Sequence, residues 1–451
     1  MTIELHATAQ KKESALKPVK VGLLGLGTVG CGVVNVVARN ASEIRRRAGR
    51  GIDIVSASAR NLARRRECEL SGIELTTDPS IIINDPEIQV VLELIGGIEP
   101  ARTLVLGAVE NRKHVVTANK ALIALHGNEI FARASEKGVT VAFEAAVGGG
   151  IPIIKAIREA LSGNTIEWLA GIINGTGNFI LTEMRDKGRD FADVLAEAQR
   201  LGYAEADPTF DVEGIDAAHK LTILASIAFG IPLQFDRVYT EGITRITAKD
   251  VRNAAELGYR IKHLGIARRQ GEGIELRVHP ALIPHRRLLA NVDGVMNAVL
   301  VRGDAVGPTL YYGPGAGAEP TASAVVADLV DVTRDLTVDP TNRVPHLAFQ
   351  PDALVDLPVL PISQAISAYY LHLRAFDRPG VLADITRILG ERKISIEAVL
   401  QPQPEEGAKD ASIVILTAPV RESHIDEAIT AIQSLDALTV PLTRIRVETL
   451  K

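Results

Sequence analysis

The sequence predicts an α/β protein in three parts: a Rossmann-like, doubly wound parallel sheet, a middle α+β domain, and a C-terminal ferredoxin-like unit. Near the N-terminus, short apolar segments alternate with helical patterns and end in glycine or polar residues, which is typical of an open parallel sheet. After residue 152, segments that alternate apolar and polar side chains favour antiparallel strands. Residues 368–451 follow the β-α-β-β-α-β order of a split βαβ unit.

Composition narrows the class of protein. The chain has 451 residues, too many for one hydrophobic core, and 46% of them are hydrophobic. A formal net charge of −5 argues against a nucleic-acid partner. Cys31 and Cys68 supply neither a disulfide framework nor a zinc signature, which favours a reducing compartment. Because there is no apolar run of about 18 residues and no signal-like segment, we expect a cytoplasmic protein without a membrane partner.

A glycine-rich turn lies between the first predicted strand, residues 20–24, and a helical pattern that reaches residue 47. Its G-x-G-x-x-G spacing lets backbone N–H groups and a helix N-terminus approach a pyrophosphate. The position between strand and helix strengthens a motif that is weak by itself. The candidate cofactor-binding residues of this turn are Gly25, Gly27, Thr28, Val29 and Gly30.

The end of the second predicted strand, residues 52–57, bears on the choice of cofactor. An NAD enzyme usually has an acidic residue there, to hold the ribose 2′-hydroxyl. This chain has Ser56, Ser58 and Arg60 instead, and an arginine suits the 2′-phosphate of NADP. The sequence therefore favours NADP through Arg60, with NAD as the alternative. The arginines at 64–66 are interpreted as an exposed helix face.

Further strands are predicted at residues 89–95, 114–117 and 139–144. Lys120 follows the second of these, so its side chain is expected to point into the ligand crevice at the carboxyl ends of the strands. A second glycine-rich loop precedes a helix that ends near residue 336, and its Gly317 either contacts the nucleotide or forms a plain turn.

An acidic stretch around residues 202–220 leads into a helix. Asp216 and Lys220 stand four residues apart, so their side chains share one helical face. The helix continues with apolar residues on all sides and should be buried. A buried Asp–Lys pair is tolerated mainly where chemistry needs it, although a solvated ion pair is the plainer interpretation. The spacing of the acids does not fit a calcium-binding EF-hand loop.

Five prolines between residues 337 and 367 forbid a long helix or a central strand and predict a linker. A polar hairpin loop is expected at 402–410. The predicted parts are an N-terminal extension 1–18, a nucleotide-binding domain 19–151 with 313–336 returning to it, a substrate-binding and dimerisation domain 152–312, the linker 337–367, and the C-terminal unit 368–451.

Taken together, these segments resemble the homoserine dehydrogenase family from about residue 19 onward. The acidic stretch reproduces that family's signature block in order and spacing, through Gly202, Asp207, Pro208, Asp211, Val212, Gly214, Asp216 and Lys220. Residues 25–30, 117–120, 144–152, 174–176 and 315–321 also look like family segments. The C-terminal unit, with Asp-Arg-Pro-Gly-Val-Leu at 377–382, looks like an ACT domain, a small-molecule sensor.

The resemblance implies reversible NAD(P)H-dependent reduction of L-aspartate 4-semialdehyde to L-homoserine. Lys220 is the implied general acid, with Asp216 and Lys120 as the other catalytic residues, and Lys120 also contacts the cofactor. The implied substrate-binding residues are Glu205, Asp216, Asn174, Thr176 and Asp211. Gly202 and Gly317 join the cofactor site. The backbone carbonyls of Glu144, Val147, Gly149 and Ile151 match a sodium site of the family.

The ACT resemblance implies L-threonine as an effector that binds where C-terminal domains pair and shifts the catalytic domains to a weaker state. A homodimer or homotetramer is therefore expected. One position departs from the pattern: Glu319 adds a charge to a glycine loop that is usually neutral.

Three other functions compete with this one. An oxidising semialdehyde dehydrogenase needs a cysteine nucleophile in the crevice, and neither Cys31 nor Cys68 is placed for that role. A non-catalytic amino-acid sensor predicts loss of the Asp216–Lys220 arrangement, which is intact. Another NADP-linked dehydrogenase of a small amino or hydroxy acid is the remaining alternative.

Overall fold

The computed structural model of the protein describes residues 16–340, 343–402 and 410–450. The helices are α1 Thr28–Arg39, α2 Ala41–Ala48, α3 Pro79–Asn84, α4 Ala101–Glu110, α5 Lys120–Lys137, α6 Ile153–Lys155, α7 Gly175–Lys187, α8 Phe191–Arg200, α9 Thr209–Val212, α10 Ile215–Phe229, α11 Ala248–Glu256, α12 Ala318–Asp335, α13 Val381–Glu391 and α14 Glu422–Gln433.

Two sheets are built from the strands. They are β1 Val19–Leu24, β2 Ile52–Ser58, β3 Glu74–Thr76, β4 Val90–Glu93, β5 His114–Thr117, β6 Val141–Ala142, β7 Ile166–Ile172, β8 Tyr239–Thr240, β9 Tyr259–Gln270, β10 Gly273–Pro284, β11 Met296–Gly303, β12 Gly307–Pro314, β13 Ile366–Phe376, β14 Ile396–Leu400, β15 Asp410–Thr417, β16 Val420–Arg421 and β17 Thr443–Val447.

The first sheet has the order β3-β2-β1-β4-β5-β6, and every pair in it is parallel. The chain reverses direction across the sheet between β1 and β4, so the ligand crevice lies outside the carboxyl ends of these strands. This order confirms the predicted Rossmann-like, doubly wound sheet.

Two predicted elements of this region are wrong in detail. The helix expected to reach residue 47 is two helices, because Asn40, with φ −105° and ψ 18°, leaves helical geometry between α1 and α2. The strand expected at 139–144 is only the two-residue strand β6. It stops because Glu144 begins a 3₁₀ turn, and the Glu144 N–H donates to the carboxylate of Asp328 at 2.7 Å instead of to a neighbouring strand.

Helix α12 returns from the middle of the chain and packs on α1. A side chain at Gly32 would place its Cβ 2.6 Å from the Ala318 carbonyl oxygen, so only glycine allows this close approach. Val325 and Leu329 of α12 lie in the same apolar core as Val33 of α1.

The second sheet joins the middle domain to the C-terminal unit. Its order is β12-β11-β7-β9-β10-β17-β13-β15-β14, with β8 on β10 and β16 on β13. The β10 and β17 strands are parallel neighbours and pair Ala281 with Arg446 and Leu282 with Val447. The C-terminal unit has the predicted ferredoxin-like order, with β13, α13, β14, β15, α14 and β17. Of its expected hairpin loop, residues 403–409 lie outside the described part of the chain, as do residues 1–15 of the expected extension and residue 451.

The segment before β13 is tied to the middle domain by backbone hydrogen bonds. Val355 N donates to the Gly230 carbonyl and Leu360 N to that of Ile274, each at 2.8 Å. Among the described residues no helix has both the length and the apolar character needed to cross a membrane.

Candidate active site

Four side chains from three helices or their N-caps meet at the carboxyl ends of the first sheet. Lys120 opens α5 directly after β5, Asp216 and Lys220 lie on the first turns of α10, and Asn174 caps the N-terminus of α7 after β7. Gly214 caps the N-terminus of α10, and its φ of +83° lies in the left-handed region that favours glycine. The acidic stretch can therefore turn sharply into the buried helix, as the apolar pattern predicts.

The carboxylate of Asp216 is the centre of this cluster. Lys220 Nζ lies 2.6 Å from its Oδ2, and Lys120 Nζ lies 2.9 Å from its Oδ1. Lys220 Nζ also donates to the Ile173 carbonyl at 2.8 Å. The Asn174 amide donates to Asp216 Oδ2 at 2.9 Å and to Asp211 Oδ1 at 2.7 Å. The plain solvated ion pair is therefore wrong: the side chains of Asp216 and Lys220 are only 5% and 10% exposed.

Burial and charge set the proton affinities of the cluster. Burial lowers the pKa of Lys220, Asp216 raises it and Lys120 lowers it, and the net pKa lies below the ordinary value. Burial opposes ionisation of Asp216, but Lys220 and Lys120 outweigh it and hold the Asp216 pKa below its usual range. Burial also opposes charge on Lys120, whose pKa is nevertheless raised by Asp216, Asp211 and Glu205. Lys220 is thus the cation that most easily gives up its proton.

The other predicted substrate residues surround the cluster. Asp211 is half-buried, and burial raises its pKa. Glu205 is exposed and acts on Lys120 through its charge. Thr176 is buried and its hydroxyl donates to the Tyr203 carbonyl at 2.6 Å, which ties α7 to the turn that contains Gly202. Gly202 is exposed, with φ +76°.

The glycine-rich turn has the shape that a pyrophosphate needs. A Cβ at Gly25 would lie 2.6 Å from the Leu94 carbonyl oxygen, and one at Gly30 would lie 2.4 Å from that of Gly25. Gly27 caps α1 and faces open space, so its backbone is free for close approach of a ligand. Thr28 and Val29 form the first turn of α1.

Arg60 is exposed and lies two residues after the end of β2. The predicted helix face at 64–66 is wrong, because residues 59–73 form an irregular loop. Arg66 holds that loop: its guanidinium donates to the carbonyls of Leu26, Asn61, Leu62 and Arg64 at 2.6–3.3 Å. The sequence did not predict this role, because a run of three arginines does not indicate which one forms hydrogen bonds with the backbone.

The second glycine-rich loop approaches the first sheet at the start of α12. Gly317 caps α12 with φ +126°. Glu319 in the first turn of α12 accepts two hydrogen bonds from Arg39 of α1, at 2.7 and 3.2 Å. The charge that departs from the family pattern is therefore paired with a guanidinium.

The four carbonyls expected to hold sodium lie in one buried turn. Within the described ranges, the Val147 and Gly149 carbonyls accept no hydrogen bond, while those of Glu144 and Ile151 accept one each. Burial and the nearby Asp328 carboxylate raise the pKa of Glu144 to about 7. No group of three or more His, Cys, Asp or Glu side chains suited to a metal occurs among the residues described. Carbonyl oxygens with free lone pairs fit a hard monovalent cation.

Three family models match the chain. The model of the homoserine dehydrogenase NAD-binding domain matches residues 25–144, that of homoserine dehydrogenase matches residues 152–330, and that of the ACT domain matches residues 369–437. A homoserine dehydrogenase of Pseudomonas aeruginosa is 66% identical over 96% of this chain and 100% of that protein. One from Bacillus subtilis is 40% identical over 96% of this chain and 99% of the relative.

Comparison with solved structures finds the same family as the sequence comparisons. The crystal structure of a homoserine dehydrogenase from Thiobacillus denitrificans has a TM-score of 0.92 at 66% identity, covering 96% of this chain and 99% of the other. That from S. aureus has a TM-score of 0.75 at 33% identity, with 96% and 99% covered. A hyperthermophilic archaeal homoserine dehydrogenase in complex with NADPH has a TM-score of 0.60 at 26% identity, with 70% and 98% covered. With three matching family models and full-length relatives, the chain belongs to the homoserine dehydrogenase family of NAD(P)-dependent oxidoreductases.

Proposed function

We propose that this protein interconverts L-aspartate 4-semialdehyde and L-homoserine, with Lys220 as the proton-transferring residue. The observation that supports this most is the buried Asp216 carboxylate shared by Lys220 and Lys120, 2.6 and 2.9 Å away, at the ligand edge of a dinucleotide-binding sheet. A buried ammonium with a lowered pKa can give its proton to a developing alkoxide and take it back in the reverse direction.

The bound nicotinamide supplies or accepts the hydride. Lys220 donates a proton to the carbonyl oxygen in the reducing direction, and neutral Lys220 accepts it from the hydroxyl in the oxidising direction. Lys120 keeps its positive charge and stabilises negative charge on the reacting oxygen. Asp216 and Asn174 fix the position of Lys220, since both are buried and hydrogen-bonded to the cluster.

The substrate's α-ammonium group needs anionic partners. We assign Glu205, Asp211 and Asp216 to that end of the substrate, with Asn174 and Thr176 beside them. For the cofactor we favour NADP, because β2 ends without an acid and is followed by the exposed Arg60, and an arginine near the end of this strand suits a ribose 2′-phosphate. The archaeal relative in complex with NADPH supports the same choice. The free carbonyls of Val147 and Gly149 support a sodium ion in the turn at 144–151.

The ACT match supports regulation by a small molecule. We propose that L-threonine inhibits the enzyme through the C-terminal unit in a homodimer or homotetramer. Because β17 pairs with β10, a shift of the C-terminal unit is transmitted directly to the middle domain.

Steady-state oxidation of L-homoserine with NADP and with NAD, each with and without L-threonine, tests the proposal. We expect turnover, a preference for NADP and inhibition that deepens as threonine rises through the millimolar range. Absence of turnover with both cofactors would refute the catalytic assignment and favour the amino-acid sensor. Turnover that stays flat as threonine rises would refute only the regulation.

The variant Lys220→Ala tests the role of the lysine. We expect kcat to fall by about 10²–10⁴-fold, the usual contribution of a general acid–base group, while the cofactor Kd stays nearly unchanged. Cofactor binding is measured by fluorescence titration and turnover by steady-state kinetics. Equal loss of both would make Lys220 a structural residue.

A further inference from the structure

Helix α7, whose N-cap Asn174 holds Asp216, has a second polar feature that the proposed chemistry does not use. Positions i, i+4 and i+7 along the helix carry polar side chains and share one face: Asn178, Thr182 and Arg185. The first two are buried and the third is half-buried. A buried polar face needs hydrogen-bond partners, because an unpaired polar group is costly inside a protein.

The turn at residues 292–296, just before β11, supplies these partners. The Asn178 amide donates to three carbonyl oxygens of the turn at 3.0, 3.0 and 3.2 Å. An N–H of the turn donates to the Thr182 hydroxyl at 3.2 Å, and Arg185 donates to the carboxylate of Asp293 at 2.8 Å. The turn therefore holds two successive turns of α7 along one face.

A buried lysine of the second sheet joins the helix to this turn. Lys262 of β9 is only 1% exposed. Its Nζ donates to Asn178 Oδ1 at 3.1 Å, to the Val292 carbonyl at 2.6 Å and to Asp293 Oδ1 at 3.0 Å. Burial lowers the pKa of Lys262 to about 8, although Asp293 raises it, so the ammonium is mostly charged at neutral pH. One cation thus fixes both the helix and the turn.

The same turn also touches the first residue of α7. A Cβ at Gly175 would lie 2.7 Å from the Val295 carbonyl oxygen, so the close contact needs glycine. Asn174 directly precedes it, and the Asn174 side-chain oxygen accepts from the Gly177 N–H at 2.7 Å. The amide nitrogen of the same side chain donates to Asp216 Oδ2 at 2.9 Å. Because one side chain makes both contacts, the position of α7 decides whether the second contact forms.

We propose that Lys262 is a positioning residue of the active site, which acts through α7 and Asn174 on the Asp216–Lys220 pair. By joining the polar face of α7 to the turn at 292–296, it sets the helix position from which Asn174 donates to Asp216. That bond orients the Asp216 carboxylate, whose Oδ2 also accepts from Lys220 at 2.6 Å. This inference rests on the proposed function, because homoserine turnover is its readout.

The first test is Lys262→Met, which removes the ammonium and keeps an unbranched side chain of similar size. We expect kcat/KM for homoserine at saturating NADP to fall by about 10–10²-fold, since a misplacement of about 1 Å in an active site can cost 10²-fold. The Kd for NADP, measured by fluorescence titration, should stay within about twofold. Lys187→Met, the same change at the exposed last residue of α7, is the matched control and should keep the wild-type kinetics.

The decisive measurement repeats Lys262→Met in an Asn174→Ser background. Serine can still cap α7, but its side chain is too short to reach Asp216 as well. If Lys262 acts through Asn174, its replacement in this background should lower kcat/KM by less than about twofold, because the contact that it supports is already missing. An equal fall in both backgrounds would overturn the proposal, because the two side chains would then act independently.

A milder variant provides the same test if Lys262→Met does not fold. Thr182→Val keeps the shape of the side chain and removes the hydroxyl that accepts from the turn. We expect kcat/KM for homoserine to fall by about two- to tenfold, the effect of one neutral hydrogen bond, and to change less in the Asn174→Ser background. Wild-type kinetics in a folded Lys262→Met enzyme would overturn only this inference. Absence of homoserine turnover in wild type would refute the proposed function and this inference with it.

Discussion

Lys120 and Lys220 share the two oxygens of Asp216, so each lysine changes the proton affinity of the other. If Lys220 transfers the proton as proposed, oxidation of homoserine requires neutral Lys220, and kcat/KM for oxidation should rise with pH through the lowered pKa of Lys220. The charge on Lys120 lowers that pKa. We therefore expect Lys120→Met to move the rising limb of the pH profile to higher pH, in addition to lowering the rate.

The matched control is Lys137→Met, which changes the last residue of the same helix and leaves the Asp216 cluster intact. It should keep the pH profile of wild type. If the rising limb of the pH profile lies at the same pH in Lys120→Met as in wild type, the two lysines are not coupled through Asp216.

Arg60 offers a second prediction for a single side chain. In Arg60→Asp a carboxylate replaces the guanidinium that we propose for the 2′-phosphate; a carboxylate repels a 2′-phosphate and can accept a hydrogen bond from a 2′-hydroxyl. We expect the ratio of kcat/KM for NADP over NAD to fall at least about tenfold, as charge-assisted hydrogen bonds are worth roughly 1.5–3 kcal/mol. Arg65→Asp, the same change in the exposed loop, is the control. An unchanged ratio would mean that another side chain binds the 2′-phosphate.

At the short strand β6, backbone N–H groups donate hydrogen bonds to side chains that can titrate. It has two residues, and its backbone is held by two histidine rings. Thr140 N donates to His114 Nδ1 and Val141 N donates to His346 Nε2, each at 3.1 Å. Burial and nearby arginines lower the pKa of both rings to about 4. Both rings must be neutral at these nitrogens to accept the bonds.

Low pH should therefore destabilise the β6 edge of the first sheet. A histidine with a depressed pKa contributes stability that is present above pH 6.5 and is lost as pH falls through 4, which amounts to about 3 kcal/mol for each ring. In His346→Gln the amide oxygen can still accept from Val141 without titrating. We expect the fall in the free energy of unfolding between pH 6.5 and 4 to shrink by about that amount, as measured by urea denaturation.

His424→Gln, on an exposed position of α14, is the control and should keep the dependence of wild type. An equal fall in His346→Gln and wild type would mean that His346 does not titrate in this window.

Elements with strong local patterns were predictable from the sequence. Strand β5 has the predicted bounds, and the apolar run after Lys220 is the buried helix α10. The short strands β3 and β8 were missed, because two or three residues carry no measurable period. The motif spacing located Asp216 and Lys220, but the contact of Lys120 with Asp216 joins residues 96 positions apart and needs the tertiary structure.

Strand β10 shows a second reason why a local sequence pattern can predict burial wrongly. Its alternating pattern indicates one solvated face, yet Glu275, Arg277 and His279 are all buried. Elements pack on both faces of the joined sheet, and Arg277 pairs with Glu275 and Glu448 at 3.1 Å. A local pattern cannot show that a strand from the C-terminus will cover its edge.

At the scale of the whole molecule, one buried ion network crosses the joint between the two domains. Arg446 of β17 is 1% exposed and donates to Glu422 of α14 and, at 2.7 Å, to Glu241 of the middle domain. Tyr369 of β13 donates to Glu422 at 2.6 Å. The network thus links α14, β13 and β17 to the turn after β8.

Removing the centre of this network should uncouple the domains. In Arg446→Met the buried Glu422 carboxylate loses one of its two guanidinium partners, and breaking a buried ion pair usually costs about 3–5 kcal/mol. We expect calorimetry to show the C-terminal unit melting before the rest of the chain, where wild type melts in one transition. Arg421→Met, an exposed change beside α14, is the control. A single transition at the wild-type temperature in Arg446→Met would show that the sheet alone couples the domains.

The position of β17 also has a consequence for synthesis. The strand that lies between β10 and β13 comes after both of them in the chain and therefore leaves the ribosome after them. Domains generally fold from the N-terminus as they emerge, so the nucleotide-binding sheet can form early, while the edge of β10 waits for residues 443–447. Until that segment emerges, the open edge of β10 is a surface for chaperones, and a chain cut short before residue 443 would expose it permanently to proteolysis.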